Sequence, residues 1–244
     1  LCFFDVRKCF DSICHNTLLE KLRVYGVRQN ELEWFRSFLY DRKQVTVYKN
    51  NTSSARNVST GIPQGSSLGP LLFLVQMNDV TISLQHSTCN LYCDDTVIYA
   101  SGENIEQVAA NLQQDIDRIS RWFESNKLAI NVSKTCTMLV CTKNLASKIN
   151  YMPVFSYQNT PIDNTKEKKY LGVWLDSQLT WNKQVEYVCS RLRPRIGTLM
   201  RACKILPPHL LLIIYTTLVQ STIDYALSVW GNTSQGNLTK IQKC

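Results

Sequence analysis

The amino-acid sequence predicts an α+β protein that ends in a small helical part, on three observations. The stretch Leu91-Tyr92-Cys93-Asp94-Asp95-Thr96-Val97-Ile98-Tyr99 reads as a tight β-hairpin, with strand formers on either side of two aspartates at its tip. Ile105, Val108, Leu112, Ile116, Ile119 and Phe123 recur at helical spacing, so a helix over 104–123 carries one apolar face and should lie across a sheet. Beyond Trp181 the pattern is helical and basic, with Lys183, Arg191, Arg193, Arg195, Arg201 and Lys204 and few acids between Glu186 and Asp224.

In chain order, Leu1 to Phe4 is a buried-strand run that ends on the acid Asp5. Phe10-Asp11-Ser12 precedes a helical pattern at Leu18, Leu19 and Leu22, and a second helix over 30–40 is started by the cap-type residue Asn30. Residues 44–48 and 56–60 read as strands around a polar turn. Gly61 to Pro70 holds three glycines and two prolines in a constrained loop before an apolar helix over 71–78. After the long helix, 129–135 leads into a strand over 136–141, and a further strand pair is expected at 152–157 and 169–175. Pro194 should kink or divide the helical tail. The domain boundary falls near Ser177, giving an α+β part over 1–176 and a basic helical part over 177–244.

With 244 residues, the chain is long enough to bury a core of its own. A formal net charge of +8 points toward a polyanion such as nucleic acid. No run approaches the roughly 18 apolar residues that a membrane span needs; the longest, Leu210 to Tyr215, sits in an amphipathic helical pattern. Ten cysteines without paired spacing read as reduced thiols, which predicts an intracellular protein of nucleus or cytoplasm and not a secreted one. Leu1 opens inside a strand-like run and Cys244 closes inside a helical one, so the sequence reads as a piece of something longer.

Two acidic positions stand out, Asp5 at a strand end and the pair Asp94 and Asp95 at the hairpin tip. Taken alone, adjacent aspartates are a solvated turn, the glycine-rich loop is a strand-to-helix connection and Lys134 is a solvated strand-edge charge. Brought together, the carboxylates would form an oxygen cluster suited to Mg²⁺ or Mn²⁺. Such a cluster can hold two cations about 3.5–4 Å apart for in-line phosphoryl transfer.

Five motifs in order carry a family resemblance over nearly the whole length. Phe4-Asp5-Val6-Arg7-Lys8-Cys9-Phe10-Asp11, then Gly61 to Pro70 with Leu71-Leu72-Phe73, then Tyr92-Cys93-Asp94-Asp95 resemble the three catalytic motifs of the reverse transcriptases of non-long-terminal-repeat (LINE-type, jockey-like) retrotransposons. Asn131 to Thr135 and Tyr170 to Asp176 resemble the fourth and fifth. The resemblance implies a right-hand polymerase palm, an antiparallel sheet with helices on one face, followed by a truncated helical thumb. It also implies that the fingers are largely missing from these residues.

It further implies two Mg²⁺ (Mn²⁺ possible) held by Asp5, Asp94, Asp95 and the backbone carbonyl of Val6, with an RNA template, a DNA primer and deoxynucleoside triphosphates as partners and no membrane. Phe10 falls where the family places a steric gate under the incoming sugar, although it also suits a core aromatic. Gln64 and Gly65 match positions lining the templating base and nucleotide, and Lys134 the basic residue that assists the leaving pyrophosphate. The hairpin within 170–175 would grip the primer end, and the later arginines would touch phosphates.

Cys93 and Cys9 stand where the family more usually has Ala. With the fingers missing, the isolated segment is expected to bind nucleic acid with weak or no synthesis. The rival readings are a catalytically inactive or domesticated relic that binds nucleic acid through its basic face, and a scaffold domain.

Overall fold

The computed structural model describes residues 1–149 and 151–244, which form two compact units: Leu1–Thr137 with Met152–Asn164, and Met138–Tyr151 with Thr165–Cys244. The first unit is built on a six-stranded sheet. Its strands are β1 (Cys2–Asp5), β6 (Thr88–Tyr92), β7 (Asp95–Tyr99), β8 (Cys136–Thr137), β9 (Phe155–Tyr157) and β10 (Thr160–Asn164), in the order β6-β7-β1-β8-β10-β9. All neighbours are antiparallel except β8 and β10. The remaining elements of the unit are α1 (Cys9–Ser12), α2 (His15–Val24), α3 (Gln29–Leu39), the ribbon β2 (Arg42–Gln44), β3 (Val47–Tyr48), β4 (Asn51–Thr52) and β5 (Arg56–Val58), α4 (Gly69–Met77) and α5 (Ile105–Ser125).

Alternation along the strands sorts the two faces of the sheet. Cys2, Phe4 and Val6 point with Ile98, Phe155, Tyr157 and Ile162 into one core, where they meet Leu18, Leu19 and Leu22 of α2, Leu72, Phe73 and Met77 of α4, and Leu112, Ile116, Ile119 and Phe123 of α5. Phe3 and Asp5 therefore lie on the other face, beside their cross-strand partners Val97 and Asp95. The expected long helix is present, capped by Asn104, whose side chain accepts from the N–H groups of Glu106 and Gln107. Asp115 on α5 is fully buried and fixes the entry to the hairpin by accepting from the backbone N–H of Gln85 (3.0 Å), His86 (2.8 Å) and Ser87 (2.6 Å).

Several expectations need correction. Helix α3 starts at Gln29 with Arg28 as its cap and no side-chain bond, so Asn30 is inside the helix rather than capping it. The strand expected over 136–141 is only β8, because its pairing with β1 covers just two positions. The segments 152–157 and 169–175 do not pair with each other. Phe155–Tyr157 pairs with Thr160–Ile162, and the chain reverses at Leu171-Gly172, whose φ of +45° and +82° turn the strand read from the apolar pattern at 169–175 into a hairpin, as the resemblance implied there, of β11 (Glu167–Tyr170) and β12 (Val173–Asp176).

That hairpin belongs to the second unit together with α6 (Lys143–Ala146), and Val173 packs there with Val185, Val188 and Leu192 of α7 (Asn182–Ala202) and with Val219 and Trp230. The boundary read between 176 and 177 thus falls inside this unit, since the hairpin shares the helices' core. Asp176 accepts from the N–H groups of Thr180 (3.0 Å) and Trp181 (2.8 Å) and ties the hairpin to the start of α7. Pro194 does not divide α7, whose helical assignment runs through it. The carbonyl that Pro194 leaves without a partner belongs to Ser190, an exposed position where water can satisfy it. The run after Leu210 lies in a helix over Pro208–Ile214, in which Leu211 and Ile214 are half-buried while Leu210, Leu212 and Ile213 are exposed. Among the described residues all cysteines are free, and no helix is long and apolar enough to cross a membrane.

Candidate active site

Asp5 is the last residue of β1, the third strand in the sheet, and its register partner is Asp95, the first residue of β7. Directly opposite residues present side chains to the same face with Cβ atoms about 4.5–5.5 Å apart, and like charges there are destabilising. The sheet thus places two carboxylates in an arrangement that a cation relieves. Their oxygen donors suit a hard divalent ion rather than zinc.

The hairpin turn has two residues, Cys93 and Asp94, with Cys93 at φ +52°, the left-handed conformation that tight hairpin turns require. Asp94 alone stands in the turn, since Asp95 already heads its strand. Burial and the nearby Asp94 carboxylate push the Cys9 thiol up to about 11, so the charge of the turn is felt at the start of α1. Among the described residues no three acidic, His or Cys side chains converge closely enough to ligate one ion as they stand. Register assembles the pair Asp5 and Asp95, and Asp94 lies one residue out.

Val6 continues β1 into an isolated antiparallel bridge with Ile130. The bridge is closed by Asn131 N–H to the Asp5 carbonyl (2.7 Å) and Arg7 N–H to the Ala129 carbonyl (2.8 Å). Backbone groups alternate sides along a strand, so the Val6 carbonyl faces away from residue 130, toward the side where β7 lies. It is a further oxygen beside the carboxylates. The same bonds carry the loop 131–135 to the acid end of β1, where Thr135 Oγ1 accepts from the Asp5 N–H (3.4 Å) and also donates to the Asn131 carbonyl (3.0 Å). Lys134 is exposed in this turn, ahead of β8 rather than on a strand edge.

Phe10 and the glycine-rich loop form the second half of the site. The chain leaves β1 through Lys8, at φ +43°, and α1 then presents Phe10, which stacks on Phe73 with centroids 4.5 Å apart. Ile62 N–H donates to the Phe10 carbonyl (2.9 Å) and Gly61 N–H to the Ile13 carbonyl (2.8 Å). The buried His15 ring is bonded through Nε2 to the Gly61 carbonyl (2.8 Å), and Gln64 Nε2 donates to Asp11 Oδ1 (2.9 Å). Gly61 has no substitute here: its φ is +86°, and a Cβ would stand 2.8 Å from both Cα and O of Asp11. The result is a cleft of about 470 Å³ lined by Phe10, Pro63, Gln64, Gly65 and Ser66.

All eight residues expected to act, Asp5, Val6, Phe10, Gln64, Gly65, Asp94, Asp95 and Lys134, lie in the first unit. Asp11 and His15, which hold the loop, were missed. Their partners are 53 and 46 residues away in sequence, and no local pattern announces such bonds.

Residues 1–175 match the family described as reverse transcriptase (RNA-dependent DNA polymerase). The chain is 26% identical over 252 residues to the RNA-directed DNA polymerase from mobile element jockey of Drosophila melanogaster, covering 98% of the chain and 27% of that protein. It is 27% identical to the probable RNA-directed DNA polymerase from transposon X-element of Drosophila melanogaster, covering 98% of the chain and 26% of that protein. The chain thus spans about a quarter of the length of these relatives. Among solved structures, the telomerase of Candida albicans overlaps 99% of the chain and 40% of its own at 17% identity and a TM-score of 0.46, a likeness on which no argument rests.

Proposed function

The chain belongs to the reverse transcriptase family, and from that premise we propose that it comprises the palm and a helical thumb-like part of an RNA-directed DNA polymerase, adding deoxynucleotides to a primer 3′-hydroxyl on an RNA template. The observation that carries this reading is the register of Asp5 opposite Asp95, on a strand that runs directly into the Phe10 cleft. Metal-binding oxygens and a nucleotide-sized space then share one short segment.

In this mechanism Asp5, Asp94, Asp95 and the Val6 carbonyl would hold two divalent cations, for which their oxygen donors suit Mg²⁺ or Mn²⁺. When bound, these supply activation of the attacking hydroxyl and neutralisation of the leaving group. The 3′-hydroxyl gives up its proton to water and its oxygen forms a bond to the α-phosphorus as the bond to the bridging oxygen breaks, and pyrophosphate departs. Lys134, on a turn tied to the Asp5 backbone, supplies a proton or a positive charge to that pyrophosphate. Phe10, braced by Phe73, sits under the sugar and excludes a 2′-hydroxyl. Gln64 and Gly65 line the templating base and the nucleotide, with Gln64 oriented by Asp11. In the second unit the hairpin β11–β12 grips the primer end, and Arg191 and Arg193, both exposed on α7, contact phosphates.

The test is primer extension on a primed RNA template with Mg²⁺, by a protein that contains these residues. Asp94→Asn should abolish extension and leave template binding intact. Normal extension by the variant would overturn the metal assignment, and binding without extension by the unaltered protein would select the inactive, nucleic-acid-binding alternative.

A further inference from the structure

The ribbon β2–β5 is the part of the first unit that the catalytic reading leaves without a role. It is one long two-stranded arm. Arg42↔Val58 and Gln44↔Arg56 pair at its base, and Tyr48↔Asn51 closes its tip around Lys49, at φ +53°. Thr46 and Ser53 join the two ladders, with the Ser53 N–H donating to the Thr46 carbonyl at 2.9 Å. Every residue from Lys43 to Asn57 is exposed. Among them are three large apolar side chains, Val45 at 51%, Val47 at 65% and Tyr48 at 71% exposure.

Over residues 42–58 the arm carries Arg42, Lys43, Lys49 and Arg56 and no acid at all. Lysines and arginines on a two-stranded ribbon also blunt its open edges against aggregation. Edge protection does not account for an exposed aromatic at the tip, however, nor for charge of a single sign. Lys49 Nζ lies 5.6 Å from the Tyr48 ring centroid, a cation beside an open π surface.

We propose that this arm is a docking surface for single-stranded nucleic acid, with Tyr48 as a stacking platform for a base and Lys43, Lys49 and Arg56 as contacts to the phosphates on either side. Charge complementarity decides the occupant. A uniformly cationic strip with an accessible ring suits a polyanion whose bases are unpaired, whereas a protein partner would call for an apolar interface core depleted of charge. The position is consistent with this role. Strand β5 ends at Val58, three residues before the Gly61 that clamps the nucleotide loop, so a strand on the arm continues toward the cleft. The inference extends the nucleic-acid reading given above but does not depend on the carboxylates.

Fluorescence anisotropy of a labelled single-stranded oligonucleotide, with a duplex of the same sequence as control, tests it. Tyr48→Ala should weaken single-strand binding by at least about fivefold, the effect of losing one stacked base. Tyr48→Phe should restore it, and duplex binding should change little. Lys43→Gln with Arg56→Gln should reduce the slope of log K against log salt by about 1.4, two phosphate contacts at about 0.7 each. Circular dichroism checks the fold of these surface variants. Unchanged single-strand affinity in Tyr48→Ala overturns the proposal, as does a change in oligomeric state in place of a change in affinity. The anisotropy is read in chelator, where no extension occurs, which separates failure of the arm from failure of the catalytic assignment.

Discussion

Gly61 and Gly65 lie four residues apart on the same loop, both with left-handed backbone, at φ +86° and +77°. Replacing either with Ala imposes the same dihedral penalty, about 1–2 kcal/mol. Their surroundings differ. Around Gly65 nothing lies within 4 Å of the added Cβ, whereas at Gly61 that atom would stand 2.8 Å from the Cα and carbonyl oxygen of Asp11. Both are backbone atoms and cannot rotate away, so overpacking adds about 1–3 kcal/mol at Gly61 alone. The expected total is about 1–2 kcal/mol for Gly65→Ala and about 2–5 kcal/mol for Gly61→Ala. At about 2–4 °C per kcal/mol for a chain of this size, Gly61→Ala should lower Tm by about 4–20 °C and Gly65→Ala by about 2–8 °C. Thermal denaturation followed by circular dichroism gives both numbers. Because the clash pushes the loop from α1, Gly61→Ala should also loosen the bond of Gln64 to Asp11 and lose nucleotide binding at temperatures where it is still folded. Equal melting temperatures for the two variants would refute the close approach of the loop to Asp11.

Three further outcomes are expected. In chelator, Asp95→Asn removes one of two facing like charges and should raise Tm slightly, by about 1–2 °C after allowance for solvent screening; Mg²⁺ should raise the melting temperature of the unaltered chain and not of the variant, and an equal shift in both would remove Asp95 from the ion site. Phe10→Ala should admit ribonucleotides, read as the incorporation ratio of ribo- to deoxynucleoside triphosphates, while Phe10→Tyr should keep the discrimination; an unchanged ratio in Phe10→Ala would leave Phe10 only its packing against Phe73. Burial alone would raise the Asp115 carboxyl, but the N–H groups of Gln85 and His86, with Ser87 and Arg118, hold it below its ordinary value. A depressed folded value means that its stabilisation is complete above the unfolded value of about 3.9 and is lost as pH falls through the folded one. Urea midpoints should therefore drop on that acid limb, and Asp115→Asn should flatten the drop while lowering stability at neutral pH by about 1.5–3 kcal/mol. An unchanged acid limb in the variant would contradict this account.

Strong periodicity made much of the fold legible. β1, the hairpin and α5 follow from runs whose apolar spacing has one solution, and Asp5 reads as an acid at a strand end from its neighbours alone. Elements with weak patterns were not legible. β10 is Thr-Pro-Ile-Asp-Asn, a polar segment with only Ile162 buried, and it becomes a strand because β8 and β9 offer it ladders. The turn at Leu171-Gly172 hides inside an apolar run, where Gly172 was the available signal. At the site, facing carboxylates require a register that no spacing reveals, since 90 residues separate Asp5 from Asp95. The roles expected for Phe10, Gln64, Gly65 and Lys134 came from resemblance, and physical pattern alone would have left them as an aromatic, a loop and a surface charge.

The acid cluster has two kinds of mechanical support. Asp5 and Asp95 close a four-pair ladder, and the Asp5 backbone is tied on its other side to Asn131, so neither can shift without the sheet. Asp94 stands outside that ladder, in the two-residue turn that it shares with Cys93. In the proposed site, the few dihedral angles of that turn are what would bring the third carboxylate toward the other two. In the proposed reaction, arrival and departure of charged ligands would be absorbed in that turn, while the hydrophobic layer beneath the sheet stays at rest.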